Sequence, residues 1–315
     1  MNILAMSSYV PRHICDVQRF DGYKGLESIS HYCGYAADYI SQVKEDDQID
    51  GAVYPKSCDS TRIISSYLQN VDKFKYQINI PARVDELAYR FYADELKKYK
   101  NSVELYYDIT IDNIRERCGI LEKDKEERIK LYNELPNISY VQYIGKIYKS
   151  MNMPLLSYRE DWTGIDKSRN GCKKIYIIGS FLSNIDIINM IEETGMHIIG
   201  DNLPESGRNI YSPKIDFKDE DIMYQIARSV LGGKLSPTQN DLHTIISMDL
   251  DEIREKKADG VIYISQKYCE PYDFLYSCYK NALDEIGIPI TKVELLNSSD
   301  DRKVKLKLEA FADTL

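Results

Sequence analysis

The chain has 315 residues, a formal net charge of −9 at pH 7 and a hydrophobic share of 43%. This length favours two domains, and the acidic balance argues against nucleic acid or an anionic membrane surface as a partner. No apolar run approaches the ~20 residues of a membrane span. The N-terminal residues pass directly into polar sequence, so we expect no secretory signal. Seven cysteines then predict a reducing, cytoplasmic location and thiol or metal chemistry rather than a disulfide framework.

The first half of the chain alternates predicted strands and helices. A mildly apolar strand over 2–10 is followed by a helix over 23–43, whose apolar residues recur at helical spacing. The remaining predicted elements are a strand and helix within 50–68, a strand at 74–79, and helices at 84–100, 112–135 and 141–151. We interpret the charged residues of 112–135 as a solvated face.

The second half begins after a polar segment, 157–171, which we interpret as a linker. Predicted strands occupy 174–178, 197–200, 260–264 and 290–293, and predicted helices occupy 184–195, 219–231, 241–257, 270–285 and 302–315. This alternation predicts an α/β fold of two doubly wound parallel-sheet (Rossmann/flavodoxin-like) domains with additional helices. The boundaries are 1–160 for the N-terminal domain, with its helical insertion, and 161–315 for the C-terminal domain.

One pattern occurs in both halves. An Asp-Gly pair and an apolar strand lead through a short loop to Cys58 in the first half and to Cys269 in the second, and a helix follows each cysteine. Each thiol should therefore lie at the carboxyl end of a parallel strand, where open α/β sheets bind ligands. A cysteine can also be merely a small buried hydrophobe, but two matched positions favour a cleft lined by sulfur.

Missing motifs narrow the chemistry. The sequence has no GxxxxGK[ST], GxGxxG, HExxH, GxSxG or CxxC motif, and it contains four histidines. This disfavours nucleotide loops, zincins, serine hydrolases and zinc ribbons. Cys33, Cys58 and Cys269 would each start a helix, where the helix dipole favours thiolate. Three thiolates on one cleft suit iron–sulfur ligation, although scattered ligands alone are a weak signal.

The segments around these cysteines resemble a known family. They read IDGAVYPKSCDSTR, GSFLSNIDIINMIEETGMHIIGDNLPESGRN, KADGVIYISQKYCEPYDF, GIPITKVE and KLKLEAFADTL. They are similar, in order and over almost the whole chain, to the 2-hydroxyacyl-CoA dehydratase / benzoyl-CoA reductase family, in its cluster-bearing (D-component type) subunits. The agreement includes a Cys-Asp strand end, an Asp-x-Leu-x-x-x-Gly-Arg loop and a Gly-Ile-Pro-x-x-x-x-Glu strand.

The resemblance implies that Cys33, Cys58 and Cys269 bind a [4Fe–4S] cluster with one open iron, in the cleft between the two α/β domains. It implies a dimer with a paralogous subunit or a second copy, and a separate ATP-dependent iron–sulfur activator. The activator delivers one low-potential electron. That electron drives dehydration or reduction of a small-molecule substrate such as an acyl-CoA thioester.

The sequence also departs from the family pattern. Family members carry a Pro-Glu-Glu stretch and an Ala-Ala-Gly segment before the first ligand, where this chain reads YVPRHICD at 9–16. This puts an acyl-CoA substrate in question. Four further cysteines leave open a larger cluster, as in double-cubane reductases. Among them we expect Cys15 to be the best extra ligand and Cys118 and Cys278 to lie in the core; the fourth is Cys172.

Other polar residues are weaker candidates. Arg208 could clamp a phosphate or carboxylate, or form an ion pair with Asp201. His31 is a candidate proton donor, and Ser57 and Ser180 are candidate hydrogen-bond donors to cluster sulfur or substrate. The acidic residues that follow Cys58 and Cys269 are expected to cap their helices.

Three functions remain from the sequence. The first is an iron–sulfur dehydratase or low-potential reductase subunit. The second is a non-catalytic or electron-relay partner in such a complex, and the third is a metal-free two-domain binding protein.

Overall fold

Eight strands, twelve α-helices and one 3-10 helix (Leu135–Asn137) lie in the part of the chain that the computed structural model describes, which is 1–20, 32–157, 159–167, 171–182, 185–239, 241–295 and 301–315. The strands are β1 (Ile3–Ala5), β2 (Gln18–Arg19), β3 (Gly51–Lys56), β4 (Phe74–Asn79), β5 (Lys173–Gly179), β6 (Met196–Asn202), β7 (Gly260–Gln266) and β8 (Ile290–Leu295). The helices are α1 (Gly34–Glu45), α2 (Asp59–Arg62), α3 (Ile64–Tyr67), α4 (Glu86–Tyr107), α5 (Ile114–Asn133), α6 (Tyr140–Met151), α7 (Asp186–Glu193), α8 (Gly207–Ile210), α9 (Ile222–Leu231), α10 (Leu242–Glu255), α11 (Glu270–Asp284) and α12 (Asp301–Ala312).

The strands form two parallel sheets with the same strand order. The first sheet runs β2-β1-β3-β4 and the second runs β6-β5-β7-β8, and every neighbouring pair is parallel. In each half the second strand pairs with one edge of the first strand, and the chain then crosses over so that the third strand pairs with the other edge. The crossing leaves a crevice at the carboxyl ends of β1 and β3, and another at those of β5 and β7, which is where such sheets bind ligands. The predicted α/β fold with two parallel sheets is confirmed.

Apolar β-branched runs form the central strands because both faces of each sheet are covered by helices. All seven residues of β7 are buried. Ile262 and Ile264 pack into the core that contains α6 and α7, whereas Val261 and Tyr263 pack into the core that contains α10 and α11. Alternate residues of one strand therefore supply two different cores.

Side-chain caps fix several helix starts. Asp85 and Asp241 accept hydrogen bonds from the backbone N–H groups of Ala88 and Thr244, at 2.9 and 3.0 Å, and so satisfy donors that a helix leaves open. The helix predicted over 23–43 starts at Gly34 within the described residues, because Cys33 has extended backbone angles; residues 21–31 lie outside the described part. None of the described helices is both long enough and apolar enough to cross a bilayer.

The charged residues of α5 do not all face solvent, so that interpretation is partly wrong. Arg117 and Glu122 are 3% and 6% exposed. Arg117 donates to Asp16 at 2.6 Å, and Glu122 accepts from Lys125 at 2.7 Å. The inner face of α5 is thus charged and turned toward the protein.

Packing crosses the predicted boundary at 160/161 in both directions. Tyr143, Ile144 and Ile147 of α6 belong to the core of the second sheet. Met223 and Ile226 of α9 belong to the core of the first sheet. The two-domain division stays a prediction, and each half contributes a helix to the other's core.

Candidate functional site

Three cysteines each lie immediately before a helix. Cys58 and Cys269 follow β3 and β7, the corresponding third strands of the two sheets. Cys33, Cys58 and Cys269 are the residues before α1, α2 and α11. Each sulfur therefore lies near backbone N–H groups that have no partner within the helix.

The structure brings these three residues to one cavity. The cavity has a volume of about 1060 Å³, and Cys33, Cys58 and Cys269 all line it. The thiol of Cys269 hydrogen-bonds to Cys33, and Cys58 interacts electrostatically with both. Residues more than 200 positions apart along the chain thus share one site.

Backbone and hydroxyl contacts hold the three loops in place. Ser60, beside Cys58, accepts a hydrogen bond from the Cys33 N–H at 3.1 Å. The N–H of Gly34 donates to the carbonyl of Lys267 at 3.4 Å. Cys58 donates through its thiol to the Thr61 hydroxyl at 3.6 Å. The start of α1 is therefore attached to both of the other cysteine loops.

The loop before Cys269 contains a left-handed residue. Tyr268 has a φ of 64°, a conformation that disfavours residues with a side chain and is concentrated at functional sites. The turn reverses the chain after β7, and the N–H of Cys269 donates to the carbonyl of Gln266 at 3.1 Å. This turn leads directly to Cys269, which lines the cavity.

The thiol pKa values differ because the thiols interact. The hydrogen bond from Cys269, together with backbone N–H groups of α1, lowers the pKa of Cys33. The same bond and burial raise the pKa of Cys269. Burial raises the pKa of Cys58 despite the hydrogen bonds from Thr61. A position before a helix is therefore not enough to lower the thiol pKa, since only Cys33 has a lowered value and its largest cause is the hydrogen bond from Cys269.

The three thiols are compatible in donor type with an iron–sulfur cluster. No three His, Cys, Asp or Glu side chains among the described residues group closely enough to hold one metal ion. Ligands of a [4Fe–4S] cluster bind separate irons, and the three thiols that line this cavity are donors of the kind such a cluster needs. Thiolate is also the ligand that iron–sulfur clusters use.

The other four cysteines do not line this cavity. Cys15 is buried in the core of the first sheet and hydrogen-bonds to Tyr99 at 3.3 Å; burial raises its pKa to about 11. Cys118 is buried in the core, as predicted. The prediction for Cys278 is wrong, because this thiol is exposed on the outer face of α11. Cys172 is partly exposed at the amino end of β5, away from the carboxyl ends of the strands.

Arg208 lines the cavity and is 8% exposed. Its Nη2 donates to the hydroxyl of Tyr272 at 2.8 Å and its Nε donates to Asn202 at 3.0 Å. Nη1 bonds to no described residue. The alternative ion pair with Asp201 is not formed, because the Asp201 carboxylate accepts from Tyr140, Ser206 and two backbone N–H groups instead.

A buried charged network behind Arg208 was missed by sequence reasoning. Lys234 donates to Asp249 at 3.0 Å, and Asp249 also accepts from Asn202, the residue that bonds Arg208. Glu252 pairs with the same lysine. These residues come from β6, α10 and the loop after α9, so only the fold brings them together. The network fixes the guanidinium at the cavity wall.

The remaining predicted residues are placed differently. Ser57 lines the cavity and its N–H donates to Thr61 at 3.1 Å. Ser180, 3% exposed, also lines the cavity, at the carboxyl end of β5. His31 lies outside the described residues.

Tyr9 lines the cavity although no strong signal in the sequence marks it. Its hydroxyl hydrogen-bonds to Ser236 and Thr238, and burial raises its pKa. Tyr9 follows β1 and Ser236 belongs to the loop between α9 and α10. The position of Tyr9 after the first strand of a sheet was the available clue, since that is one side of the crevice.

Three curated relatives resemble this chain over most of its length. The beta subunit of (R)-phenyllactyl-CoA dehydratase from Clostridium sporogenes is 20% identical, covering 86% of this chain and 76% of the relative. The beta subunit of (R)-2-hydroxyglutaryl-CoA dehydratase from Acidaminococcus fermentans is 22% identical, covering 91% and 82%. A subunit of benzoyl-CoA reductase from Thauera aromatica is 21% identical, covering 99% and 90%.

Similarity to solved structures is much weaker. A GTP-binding protein from Sulfolobus solfataricus in complex with GDP overlaps 99% of this chain and 98% of its own, with 13% identity and a TM-score of 0.27. A TM-score this low supports no conclusion about this chain.

Family membership follows from a match along the whole sequence. The model of the 2-hydroxyglutaryl-CoA dehydratase D-component matches residues 2–315, and the relatives are subunits of two dehydratases and a reductase. The resemblance expected from the sequence segments is thereby confirmed. The chain belongs to the 2-hydroxyglutaryl-CoA dehydratase D-component family.

Proposed function

We propose that this protein is the cluster-bearing subunit of a dehydratase or low-potential reductase, with Cys33, Cys58 and Cys269 as ligands of a [4Fe–4S] cluster. The observation that carries the proposal is the meeting of these three thiols at one cavity, each before a helix. When bound, the cluster supplies an open, Lewis-acidic iron and a store for one electron.

The residues of the chain supply binding and orientation. Arg208 offers the free edge of its guanidinium to a carboxylate, phosphate or thioester oxygen, and the Asn202 and Tyr272 contacts keep that edge fixed. Ser57 and Ser180 line the same cavity and can donate hydrogen bonds through their hydroxyl groups. The substrate class is a small acyl thioester, since the relatives act on phenyllactyl-CoA, 2-hydroxyglutaryl-CoA and benzoyl-CoA.

The proposal includes two protein partners in the cytoplasm. One is a paralogous subunit or a second copy of this chain, because the relatives are named as subunits of larger enzymes. The other is an ATP-dependent iron–sulfur activator, which provides the low-potential electron that this chemistry requires.

Iron analysis of anaerobically purified protein tests the cluster. We expect about four irons per chain, as for one cubane cluster, with an electron paramagnetic resonance signal after reduction. Cys58→Ser should lose most of the iron, because it removes a thiolate. Cys278→Ser is the matched control, since that thiol is exposed away from the cavity, and it should keep the iron. Iron-free wild-type protein after anaerobic reconstitution would contradict the proposal.

Substitution of Arg208 tests the substrate role. Arg208→Lys keeps the charge and removes the planar fork, so we expect KM for the acyl thioester to rise at least about tenfold, as for loss of one charged hydrogen bond. Iron content should stay unchanged. An unchanged KM would show that Arg208 serves only the buried network.

An electron-relay partner subunit is the second candidate. The motif departures at 9–16 favour it, as do the two dehydratase relatives, which are named as beta subunits. Purification from the native host distinguishes the two. A paralogous chain that carries the substrate site would favour the relay, whereas a fully active homodimer would exclude it.

A further inference from the structure

A second, smaller cavity lies beside the cysteine cavity. It has a volume of about 140 Å³, several times the ~30 Å³ that one water occupies in the liquid. Ser8, Asn209 and Val230 line both cavities. The inner face of α5, the segment after β1 and the loop after β6 form its walls.

Four cationic side chains and three acidic ones line this cavity. Arg12, Arg19, Lys125 and Arg128 line it. Lys125 pairs with Glu122 at 2.7 Å, but the three arginines form no ion pair with any residue that the structure describes. Carboxylates act on two of them only at longer range, Asp16 and Asp124 on Arg12 and Glu205 on Arg19.

Backbone carbonyls hold the three guanidinium groups. Arg12 donates to the carbonyls of Ser150 and Met153, the former at 2.7 Å. Arg19 donates to the carbonyl of Val10 at 3.1 Å, and Arg128 donates to that of Glu205 at 2.6 Å. A neutral carbonyl orients a guanidinium without balancing its charge.

Several buried nitrogen atoms here have no hydrogen-bond partner among the described residues. They are Arg12 Nε, Arg19 Nε and Nη1, Arg128 Nε and His13 Nδ1. Buried polar groups of native proteins nearly always have a partner, and an unmet charged donor is more costly than a neutral one. Arg19 is 7% exposed, so bulk water does not supply its missing bonds.

In the part of the chain that the structure describes, the acidic groups of the cavity have fewer unpartnered oxygen atoms than the arginines have unpartnered nitrogen atoms. Glu122 Oε2 and Glu205 Oε2 are likewise without partners among the described residues, whereas Asp124 accepts from Trp162 at 2.8 Å. Burial raises the pKa of Glu205 to about 7, so that its negative charge is incomplete near neutrality. Four guanidinium nitrogens thus lack a partner among the described residues, against two carboxyl oxygens.

We propose that this cavity binds a phosphate group, whose oxygens accept from the unpartnered nitrogens of Arg12, Arg19 and Arg128. A small tetrahedral oxyanion suits both the cavity volume and the donor set, since arginine recognises phosphate through paired N–H groups. The group belongs either to free inorganic phosphate or to a phosphorylated substrate that extends from the neighbouring cavity. The second source rests on the proposed function, and the first does not.

Calorimetric titration of the full-length protein with inorganic phosphate, at constant ionic strength, tests the site. We expect saturable binding by the wild type, and affinity about tenfold lower or worse in Arg19→Gln and Arg128→Gln, the loss expected for one charged hydrogen bond. Arg83→Gln is the control, since Arg83 is 76% exposed on the surface, and it should bind as the wild type does.

Two further measurements make the result decisive. If Arg19→Gln fails to fold, Arg128→Gln alone tests the arginines. The Tm of the wild type is then also measured in phosphate and in chloride, and we expect it to be higher in phosphate. Competition with inorganic phosphate is then measured for coenzyme A and for 3′-dephospho-coenzyme A. If only coenzyme A competes, the site binds the substrate's phosphate. No competition would assign it to the free ion. Absence of saturable phosphate binding, or equal affinity in the control and both cavity variants, would overturn the proposal.

Discussion

At the scale of single residues, Cys33 and Cys269 shift each other's thiol pKa values. One donates and the other accepts in the hydrogen bond between their thiols, so the first proton to leave this pair belongs to both. Cys58 lies apart with Thr61 as its partner. Three soft sulfur donors thus lie at the starts of three helices, and the proposed iron–sulfur cluster would use donors of this kind.

Glu205 gives a pH dependence whose sign follows from its burial. Burial raises the pKa of its carboxyl to about 7, from an ordinary value near 4.5. Between these values the folded chain keeps a proton that the unfolded chain releases, so stability falls as pH rises through this window. The contribution is at most about 3 kcal/mol.

Glu205→Gln should remove the loss of stability that ionisation of Glu205 causes as the pH rises. Urea unfolding at pH 5 and pH 8, in buffer without phosphate, should show a smaller decrease for the variant than for wild type. Burial also raises the pKa of Asp38 to about 7. The stability of wild type and of Glu205→Gln should therefore both still fall with pH because of Asp38. Glu127→Gln, at an exposed position of α5, should behave as wild type. Identical curves for Glu205→Gln and wild type would refute the assignment.

The loop between β6 and α8 is the element on which Arg208 depends. The Asp201 side chain accepts from the N–H groups of Leu203 and Gly207 at 2.8 and 2.9 Å, and so folds the loop back on itself. A Cβ atom on Gly207 would lie 1.9 Å from the Asp201 carbonyl oxygen. The close approach of two backbone segments therefore requires glycine here.

Gly207→Ala should destabilise the fold by about 3 kcal/mol or more, because backbone must move. Gly145→Ala is the matched control: a Cβ there meets nothing within 4 Å. It should stabilise α6 by roughly 0.5–1 kcal/mol. Urea denaturation of both variants measures the difference. Equal stabilities would mean that the loop adapts without cost.

Elements were predictable from sequence where the signal was local. The strand before Cys269 is an apolar β-branched run between turn residues, and it lies where the pattern predicts. The strand Gln18–Arg19 was missed because two residues are too short to show a period. Gly34 lies inside the helix predicted over 23–43, but it is the first residue of α1, directly after a candidate ligand.

Site residues were predictable from the sequence only where the same strand–cysteine–helix pattern occurs in both halves. Cys58 and Cys269 stand at equivalent strand ends, so the sequence pattern located both. The Tyr272 contact of Arg208 could not be inferred, because Tyr272 is 64 residues away whereas Asp201, the near acid in sequence, forms no ion pair with Arg208. Glu205 was likewise not singled out, since only the fold buries it against α5.

At the scale of the whole molecule, the two halves hold each other together. The ring of Tyr35 stacks on Phe181 at 4.7 Å between centroids, and α4 packs against α9 across the predicted boundary. The cysteine cavity takes residues from both halves. Its geometry therefore depends on how the halves pack as well as on each sheet.

Fragments 1–160 and 161–315 test this dependence. Separation would expose the apolar faces of α6 and α9, each of which is buried in the other half's core, and burial of such side chains contributes about 1.5–3 kcal/mol each. We expect neither fragment alone to show a cooperative thermal transition, and their mixture to recover one. A sharp transition in either isolated fragment would instead support independent domains.

Differential alkylation tests the central claim most directly. Iron-loaded protein is treated anaerobically with a thiol reagent before and after chelation of iron, and the labelled cysteines are identified by mass spectrometry. We predict that Cys33, Cys58 and Cys269 are protected together and become reactive together, while the exposed Cys278 reacts in both samples. Protection of a different set, or of none, would contradict the assignment of these three thiols to one cluster.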